Sequence, residues 1–268
     1  MGYLLAALLG GFFLFNSAAT PQKAARMAEK ALQKQYPGAE IEVEIEGKRG
    51  TSVLKGNFRR VRVQMAHLTI AALPFEPSGG AKKIGRAGKI ELDLRDLKLG
   101  TLPVSRARLE FENVEYDFAA LKDRAQFQLV KSGAARLGLQ LSTEALLPAF
   151  AAKLQNTSDV RVSTEGKTLT LRGNRTFLGA TTPIVVTGQL AGRDSELRLE
   201  NTILTVGGTR VPDVAANLLL KDLNPLYDFD KGLKWPFRTE ITSASGVANQ
   251  INLSANLRLS ATPTNSTP

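Results

Sequence analysis

Three long stretches of alternating apolar and polar residues, each with a break in its phase, most constrain the fold of this chain. In "FRRVRVQMAHLTI" (58–70) the apolar positions shift phase in mid-stretch, from Val61, Val63 and Met65 to Leu68 and Ile70. "KIELDLRDLKLG" (89–100) and "RLEFENVEYDF" (108–118) shift in the same way. Alternation predicts half-buried strands, and the shift predicts a bulge or bend near Ala66-His67. Three long bent strands indicate a strongly curved antiparallel sheet.

The first half of the chain combines these strands with a helix. "AEIEVEIEG" (39–47) reads as another half-buried strand, with glutamates on its outer face. A strand over 137–141 then leads into a helix capped by Ser142 or Thr143, with Glu144 in its first turn. Strands and helices in this order predict an α+β fold.

The second half repeats this order in pattern, although not in residue identity. A hairpin about Glu165-Gly166 and two further strands lead to a helix that begins near Pro212-Asp213 and is ended by Asn224-Pro225. A closing hairpin is predicted from 237–246 and 250–260. Strands followed by a helix thus occur twice, which indicates pseudo-repeated halves.

The N-terminus carries a membrane-directed segment followed by an amphipathic helix. "MGYLLAALLGGFFLF" is uncharged and short for a membrane span, so 1–19 is expected to be a signal peptide or a membrane anchor. The helix that follows is capped by Thr20 and stopped by Pro37-Gly38. One of its faces carries Lys23, Arg26, Lys30 and Lys34. This cationic stripe is either a solvated face or a contact for anionic headgroups.

Composition excludes several kinds of site. The chain has no cysteine and a single histidine, His67, so disulfides, thiolate sites and histidine-based triads are excluded, and no metal or cofactor is expected. Asp228 and Asp230 are the nearest approach to an acid pair, and turn formation is the favoured role for both. The formal net charge of +10 predicts an anionic partner. Aromatic residues are only 6% of the chain, which favours a membrane surface over nucleic acid.

The order of the segments resembles the LmeA-type family of bacterial envelope proteins, which is described as phospholipid-binding. The resemblance is carried by "LKGNFRRVRVQMAHLTI", "KIELDLRDLKLG", "STEALLPAF" and "LNPLYDFDKGLKWPFRTEITSASGVANQINLSANL". It implies an architecture related to tubular lipid-binding folds, in which long curved sheets wrap around a few helices. A single lipid-binding domain is then expected over 20–260, with a disordered tail at 261–268.

This resemblance implies a non-enzymatic phospholipid-binding protein, with lipid transfer as an open role, in the periplasm or attached to a membrane by the N-terminus. Acyl chains would lie in an apolar groove lined by Val61, Val63, Met65, Ile90, Leu92, Leu94, Phe111, Phe150 and Ile184. The phosphate or an anionic surface would meet Lys23, Arg26, Lys30, Lys34, Arg59, Arg60, Arg62, Lys82 and Lys83.

Two other interpretations of the same residues remain open. The apolar positions could be ordinary core and the basic positions an ordinary solvated surface, as in any β-rich protein. The chain would then be a structural or interaction protein of the envelope with no lipid ligand. An enzyme acting on lipids or glycans is the third possibility, although the chain offers no recognisable catalytic constellation.

Overall fold

A computed structural model describes most of the chain. The described residues are 20–47, 53, 55–70, 76–77, 80–81, 83–99, 102–120, 127–154, 157–177, 180–221, 223–233, 237–247 and 249–259. The expected N-terminal targeting segment and the expected disordered tail lie outside them, as do Lys82 and Pro236.

The described chain is mostly β-structure with a few helices. The strands are β1 (Glu40–Glu46), β2 (Asn57–Ile70), β3 (Glu76–Pro77), β4 (Ile84–Leu99), β5 (Leu102–Asp117), β6 (Gln128–Lys131), β7 (Ala135–Ser142), β8 (Thr157–Glu165), β9 (Thr168–Phe177), β10 (Ala180–Arg193), β11 (Glu196–Val206), β12 (Thr209–Arg210), β13 (Tyr227–Asp228), β14 (Phe237–Val247) and β15 (Gln250–Leu259). The helices are α1 (Pro21–Gln35), a 3₁₀ helix (Thr143–Leu146), α2 (Leu147–Lys153), α3 (Asp213–Leu220) and α4 (Phe229–Leu233).

Two sheets form the body of the protein. The first sheet has nine strands in the main order β1-β2-β4-β5-β7-β15-β14, with β6 beside β5 and β3 beside β6, and it curls into a half-barrel. The second sheet has six strands in the main order β12-β11-β10-β9-β8, with β13 beside β11. The predicted α+β fold with a long curved sheet is therefore confirmed.

The antiparallel prediction is wrong for one long pair, because β2 and β4 run parallel, as do the short strands β3 and β6. The other strand pairs of both sheets are antiparallel. Apolar alternation reports which face a strand buries, but it carries no information about the direction of the neighbouring strand. The parallel pair was for that reason not visible in the sequence.

The predicted bends are present in all three long strands. His67 in β2, Asp96 in β4 and Asn113 in β5 have φ values of 60°, 47° and 50°, in the left-handed region. The buried positions change parity at each of these residues, and the β2–β4 pairing keeps its register across the bend. The neighbouring strands β2 and β4 therefore bend together at His67 and Asp96, which contributes to the curl of the sheet.

Each long strand also has a second change of parity that the sequence did not reveal. The buried positions step from Phe58 to Val61 in β2, from Ala87 to Ile90 in β4, and from Val104 to Ala107 in β5. Two of these inner positions are Ala87 and Ala107. Alanine is small and only weakly apolar, so it does not show clearly in the sequence which face of the strand is buried.

Helix α1 forms as predicted and protects an edge of the first sheet. Thr20 Oγ1 accepts a hydrogen bond from the Lys23 N–H at 3.4 Å, and the buried stripe consists of Ala24, Ala28 and Leu32. The helix packs on the edge strand β1, where the Glu29 carboxylate accepts the Val43 N–H at 3.1 Å. This bond satisfies a backbone donor of the edge strand.

The closing hairpin β14–β15 joins the first sheet beside β7 and also holds the second sheet. The Ile241 N–H donates to the Asp194 carbonyl oxygen at 2.8 Å. Gly192 of β10 lies against the Ile241 side chain. A Cβ on Gly192 would stand 2.3 Å from Ile241 Cγ2. The order of strands followed by a helix occurs twice, as β1–β7 before α2 and β8–β12 before α3.

The prediction that Asn224-Pro225 ends the last long helix is wrong, because α3 already ends at Leu220. The Asn224 side chain instead pairs with the Leu199 backbone of β11, accepting its N–H and donating to its carbonyl oxygen, both at 2.8 Å. The Leu226 N–H also donates to the Leu197 carbonyl oxygen at 2.8 Å. These bonds hold the chain along β11, so the helix cannot continue.

Candidate functional site

The inner face of the first sheet is a continuous apolar surface. Backbone pairing arranges its side chains in rows that cross the sheet. One row is Ile45, Val61, Ile90, Phe111 and Ala135; the next is Val43, Val63, Leu92, Leu109, Leu137, Ala255 and Ile241; the third is Ile41, Met65, Leu94, Ala107, Leu139, Leu253 and Ala244. None of these positions carries a polar side chain, so the face is apolar across its whole width.

Seven of the nine predicted lining residues lie together in these rows: Val61, Val63, Met65, Ile90, Leu92, Leu94 and Phe111. Phe150 lies on α2 and is fully buried in the same apolar core. Ile184 lies in β10 of the second sheet, paired with Val206 and Gly173, and thus apart from the inner face.

The side chains of the inner face are covered in the folded protein. The seven predicted lining residues in the rows are at most 2% exposed. An apolar cavity of about 10 Å³ remains beside β7, β15 and β14, lined by Leu137, Leu139, Phe229, Thr239, Ile241, Leu253 and Ala255. That volume is roughly the space of one water molecule, whereas ligand pockets usually measure about 300–1,000 Å³.

Thr239 is an unusual member of this cavity lining. Its side chain is 5% exposed, and its hydroxyl has no hydrogen-bond partner in the described part of the chain. An unpaired buried hydroxyl costs about 1–3 kcal/mol. Thr239 was not among the predicted lining residues, although the alternation of Phe237, Thr239 and Ile241 was a signal that Thr239 faces inward.

The outer face of the same sheet carries a network of ion pairs. Arg60 and Lys89 both contact the Glu91 carboxylate at 2.5 Å, and Arg106 contacts Asp93 at 2.5 Å. Burial opposes the ionisation of Glu91, but hydrogen bonds from Lys89 and Arg60 outweigh it and hold the pKa of this carboxyl below its usual value. The hydrogen bond from Arg106 likewise lowers the pKa of Asp93. The cations of this face are therefore largely neutralised by neighbouring carboxylates.

The predicted basic rim residues of the sheet region are dispersed. Arg60 and Arg62 lie in the outer network, with Arg62 at 3.6 Å from Glu44. Arg59 is exposed and lines a cleft of about 590 Å³ beside the start of α1. The Lys83 ammonium lies 4.9 Å from the centre of the Phe118 ring. The structure thus does not gather these side chains at one rim of the inner face.

In the described part of the chain, the cations of the α1 stripe are not paired with carboxylates, unlike the cations on the outer face of the first sheet. Its side chains are Lys23, Arg26, Lys30 and Lys34, all exposed on the face opposite the buried stripe. Within the described ranges these four cations make no salt bridge. Four uncompensated charges on one helix face are suited to an anionic surface.

A family model described as LmeA-like phospholipid-binding matches residues 84–256. This range begins with β4 and ends within β15, so it includes the strands that carry most of the apolar rows and the whole second sheet. The chain belongs to this family. Neither a curated protein nor a solved structure matches the chain. The resemblance to LmeA-type proteins is confirmed, and phospholipid binding is the property by which the family is described.

The acid pair of this LmeA-like protein has structural hydrogen bonds. Asp228 Oδ1 accepts the Ser195 hydroxyl at 3.0 Å and the Asp230 N–H at 3.1 Å. Asp230 Oδ1 accepts the Thr239 N–H at 2.9 Å and so joins α4 to β14. Burial opposes ionisation of Asp228, but hydrogen bonds from Lys231 and Ser195 keep its pKa below the usual value. Both carboxylates therefore hold the backbone in place.

Among the described residues, no cluster of three or more His, Asp or Glu side chains is arranged to hold a metal ion. Within the same ranges, no helix has the length and apolar composition needed to cross a membrane.

Proposed function

We propose that this LmeA-like protein is a non-enzymatic phospholipid-binding protein of the bacterial cell envelope, which holds acyl chains against the inner face of the first sheet. The observation that carries the proposal is the match to a phospholipid-binding family over most of the strands that form the apolar rows. Each methylene group removed from water contributes about 0.8 kcal/mol, so binding to such a face needs no catalytic or directional chemistry.

Acyl chains reach this face only by displacing the side chains that cover it. The small cavity beside β7, β15 and β14 marks a place where the packing is incomplete. We therefore place the entry of the acyl chains there, next to Phe229 of α4. The unpaired Thr239 hydroxyl would donate a hydrogen bond to an ester oxygen of the lipid, which would remove the cost of burying it without a partner.

The stripe Lys23, Arg26, Lys30 and Lys34 of α1 is the proposed contact with phosphate groups or an anionic membrane surface. Each exposed cation near such a surface contributes about 1 kcal/mol. The proposal relies on α1 more than on Arg60 and Arg62, whose charges are balanced by Glu44 and Glu91. Residues 1–19 would direct the protein to the envelope, either as a cleaved signal or as an anchor.

Lipid extraction tests the proposed function. The full chain is purified without detergent from a bacterial host, extracted with organic solvent and analysed by mass spectrometry. Phospholipid in a fixed ratio to the chain is the expected result, and an unrelated exported protein purified in the same way is the control. Transfer between vesicles is then measured with a fluorescent phospholipid.

A cavity-filling variant identifies the binding face. Ala255→Leu adds bulk at the proposed entry, and Ala216→Leu adds the same bulk at a buried position of α3. Overpacking of this kind typically costs about 1–3 kcal/mol in either place, so both variants are first checked for folding. Loss of lipid in Ala255→Leu with retention in Ala216→Leu supports the proposed face.

The second candidate is a structural or interaction protein of the envelope without a lipid ligand. The observation in its favour is the burial of the inner face by the protein's own side chains. An extract with no more phospholipid than the control protein would support this candidate and contradict the proposed function.

A further inference from the structure

Helix α3 exposes apolar side chains that a folded protein usually buries. Val214 is 78% exposed and Leu218 is 68% exposed, and the two residues lie one turn apart. On the same helix, Ala216 and Leu220 are buried in the core, where α3 packs on β11. The helix is therefore apolar on two faces, and the fold uses only one of them.

The exposed stripe ends in a cation. Lys221 has helical backbone angles (φ −52°, ψ −37°) and follows Leu218 by three residues, so its exposed side chain continues the stripe of Val214 and Leu218. In the part of the chain that the structure describes, Lys221 makes no salt bridge. An ammonium group beside exposed apolar side chains is the arrangement found in helices that lie at membrane interfaces.

The charges around the N-terminal end of α3 are nearly balanced. Arg210, four residues before Val214, lies 3.1 Å from the Asp213 carboxylate, so these two charges cancel. A cleft of about 700 Å³ opens between one side of α3 and part of β11, and its β11 side carries Glu200 and the partly exposed Ile203. The helix itself therefore presents an apolar stripe with one free positive charge and no net negative charge.

We propose that α3 inserts Val214 and Leu218 into the interface of an anionic phospholipid bilayer and so docks the protein on a membrane. Lys221 then reaches the headgroup phosphates while its methylene stem stays along the apolar stripe. A stripe of two side chains is small for a stable protein–protein interface, which usually buries about 800 Å² on each partner, but it is sufficient for shallow insertion. The inference rests on the proposed function for its choice of lipid, although α3 is separate from the inner face.

Flotation of the purified full chain with vesicles of phosphatidylglycerol and phosphatidylcholine tests this inference. The variant Val214→Ser/Leu218→Ser removes the apolar stripe without adding charge. Val247→Ser is the matched control, because Val247 is 61% exposed on β14. We expect the double variant to bind vesicles at least about tenfold more weakly and the control to stay within about twofold of the unmodified chain.

Fluorescence gives an independent reading of insertion. Both tryptophan variants are made together with Trp235→Phe, because Trp235 would otherwise contribute to the emission. Leu218→Trp is then expected to show a blue shift of its emission when vesicles are added, whereas Val247→Trp is not. Equal vesicle binding by Val214→Ser/Leu218→Ser and the unmodified chain would overturn the inference. So would a double variant that changes only the oligomeric state in sedimentation, because the stripe would then be a protein interface.

These outcomes are distinguishable from failure of the proposed function. The double variant is expected to carry the same amount of extracted phospholipid as the unmodified chain, because α3 does not line the inner face. A chain that carries no lipid but floats with vesicles through α3 would contradict the proposed function and leave this inference standing.

Discussion

His67 and Asp96 lie side by side in the parallel strands β2 and β4, with His67 Nδ1 at 3.4 Å from Asp96 Oδ2, and both have positive φ. The pair marks the line along which the two strands bend together. Both side chains are exposed, so the contact itself contributes little to stability. The backbone conformation is the feature that matters, because it sets the curl of the sheet that carries the apolar rows.

The bend at Asp96 predicts a position-specific intolerance of β-branched residues. At φ 47°, valine is strongly disfavoured, whereas aspartate and glycine are tolerated. We expect Asp96→Val to lower the free energy of unfolding by about 1–2 kcal/mol and Asp96→Gly to change it by less than about 0.5 kcal/mol. Denaturant titration measures both. Lys98→Val, at an exposed position of the same strand, is the control and is expected to be neutral.

The close packing of Gly85 against Tyr116 predicts that alanine is tolerated less well at position 85 than at another glycine of the first sheet. A Cβ on Gly85 would stand 2.5 Å from Tyr116 Cζ, and this ring is held by a 2.6 Å hydrogen bond from its hydroxyl to the Gly56 carbonyl oxygen. Gly85→Ala should destabilise the protein by about 2 kcal/mol. Gly138→Ala, where the nearest atom would be Arg108 Cβ at 3.9 Å, should not. Equal thermal midpoints for the two variants would contradict this packing.

The outer ion pairs predict a loss of stability in acid. The pKa of Asp93 is lowered in the folded protein, chiefly by the hydrogen bond from Arg106. The resulting stabilisation is complete above the unfolded-state pKa of about 3.9 and is lost as the pH falls through the folded-state value. Asp93→Asn should lower the free energy of unfolding at pH 7 by about 1.5 kcal/mol and should weaken its dependence on pH below about 4. Chemical unfolding at a series of pH values measures both.

The control for the acid prediction is Glu240→Gln, which removes the exposed ion pair with Arg258 at 3.1 Å. An exposed pair contributes less than about 1 kcal/mol, so this variant should follow the unmodified chain closely. An Asp93→Asn variant with an unchanged acid profile would show that the Asp93–Arg106 pair is not a source of the acid sensitivity.

The unpaired Thr239 hydroxyl predicts that its removal stabilises the protein. In the lipid-free protein, Thr239→Val replaces the hydroxyl by a methyl group of similar size in an apolar cavity, and we expect a gain of about 1 kcal/mol in the free energy of unfolding. Thr242→Val is the control, because the exposed Thr242 hydroxyl donates to the Ser254 carbonyl oxygen at 3.1 Å. A loss of stability in Thr239→Val would mean that the hydroxyl has a partner.

The α1 stripe predicts salt-dependent binding to anionic vesicles. Replacing Lys23, Arg26, Lys30 and Lys34 by glutamine should weaken binding at low salt by at least about tenfold, with a smaller difference at high salt. The control replaces four scattered exposed cations, Lys98, Lys131, Lys167 and Arg238, by glutamine. Because the two variants have the same net charge, similar losses in both would show that the stripe has no special role.

Much of the candidate site was predictable, because its most regular features are local. The alternation in β2, β4 and β5 placed seven of the predicted lining residues on one face, and it located the bends at His67 and Asp96. The cap and buried stripe of α1 were readable for the same reason, since a helix repeats its contacts every three or four residues. Phe150 was predicted to line the groove, and the structure places it on α2, fully buried in the core.

The amino-acid sequence by itself determined which residues of the long strands are apolar, one bend in each of these strands and where α1 begins, because side-chain periodicity and capping act between residues close in the chain. Only the tertiary structure decided that β2 and β4 run parallel, that Ile184 lies in another sheet, and that Glu91 neutralises Arg60. It also decided how completely the inner face is covered. These relationships join residues far apart in the chain. The apolar–polar pattern of one strand does not determine the direction of the neighbouring strand, or the charge and size of its side chains.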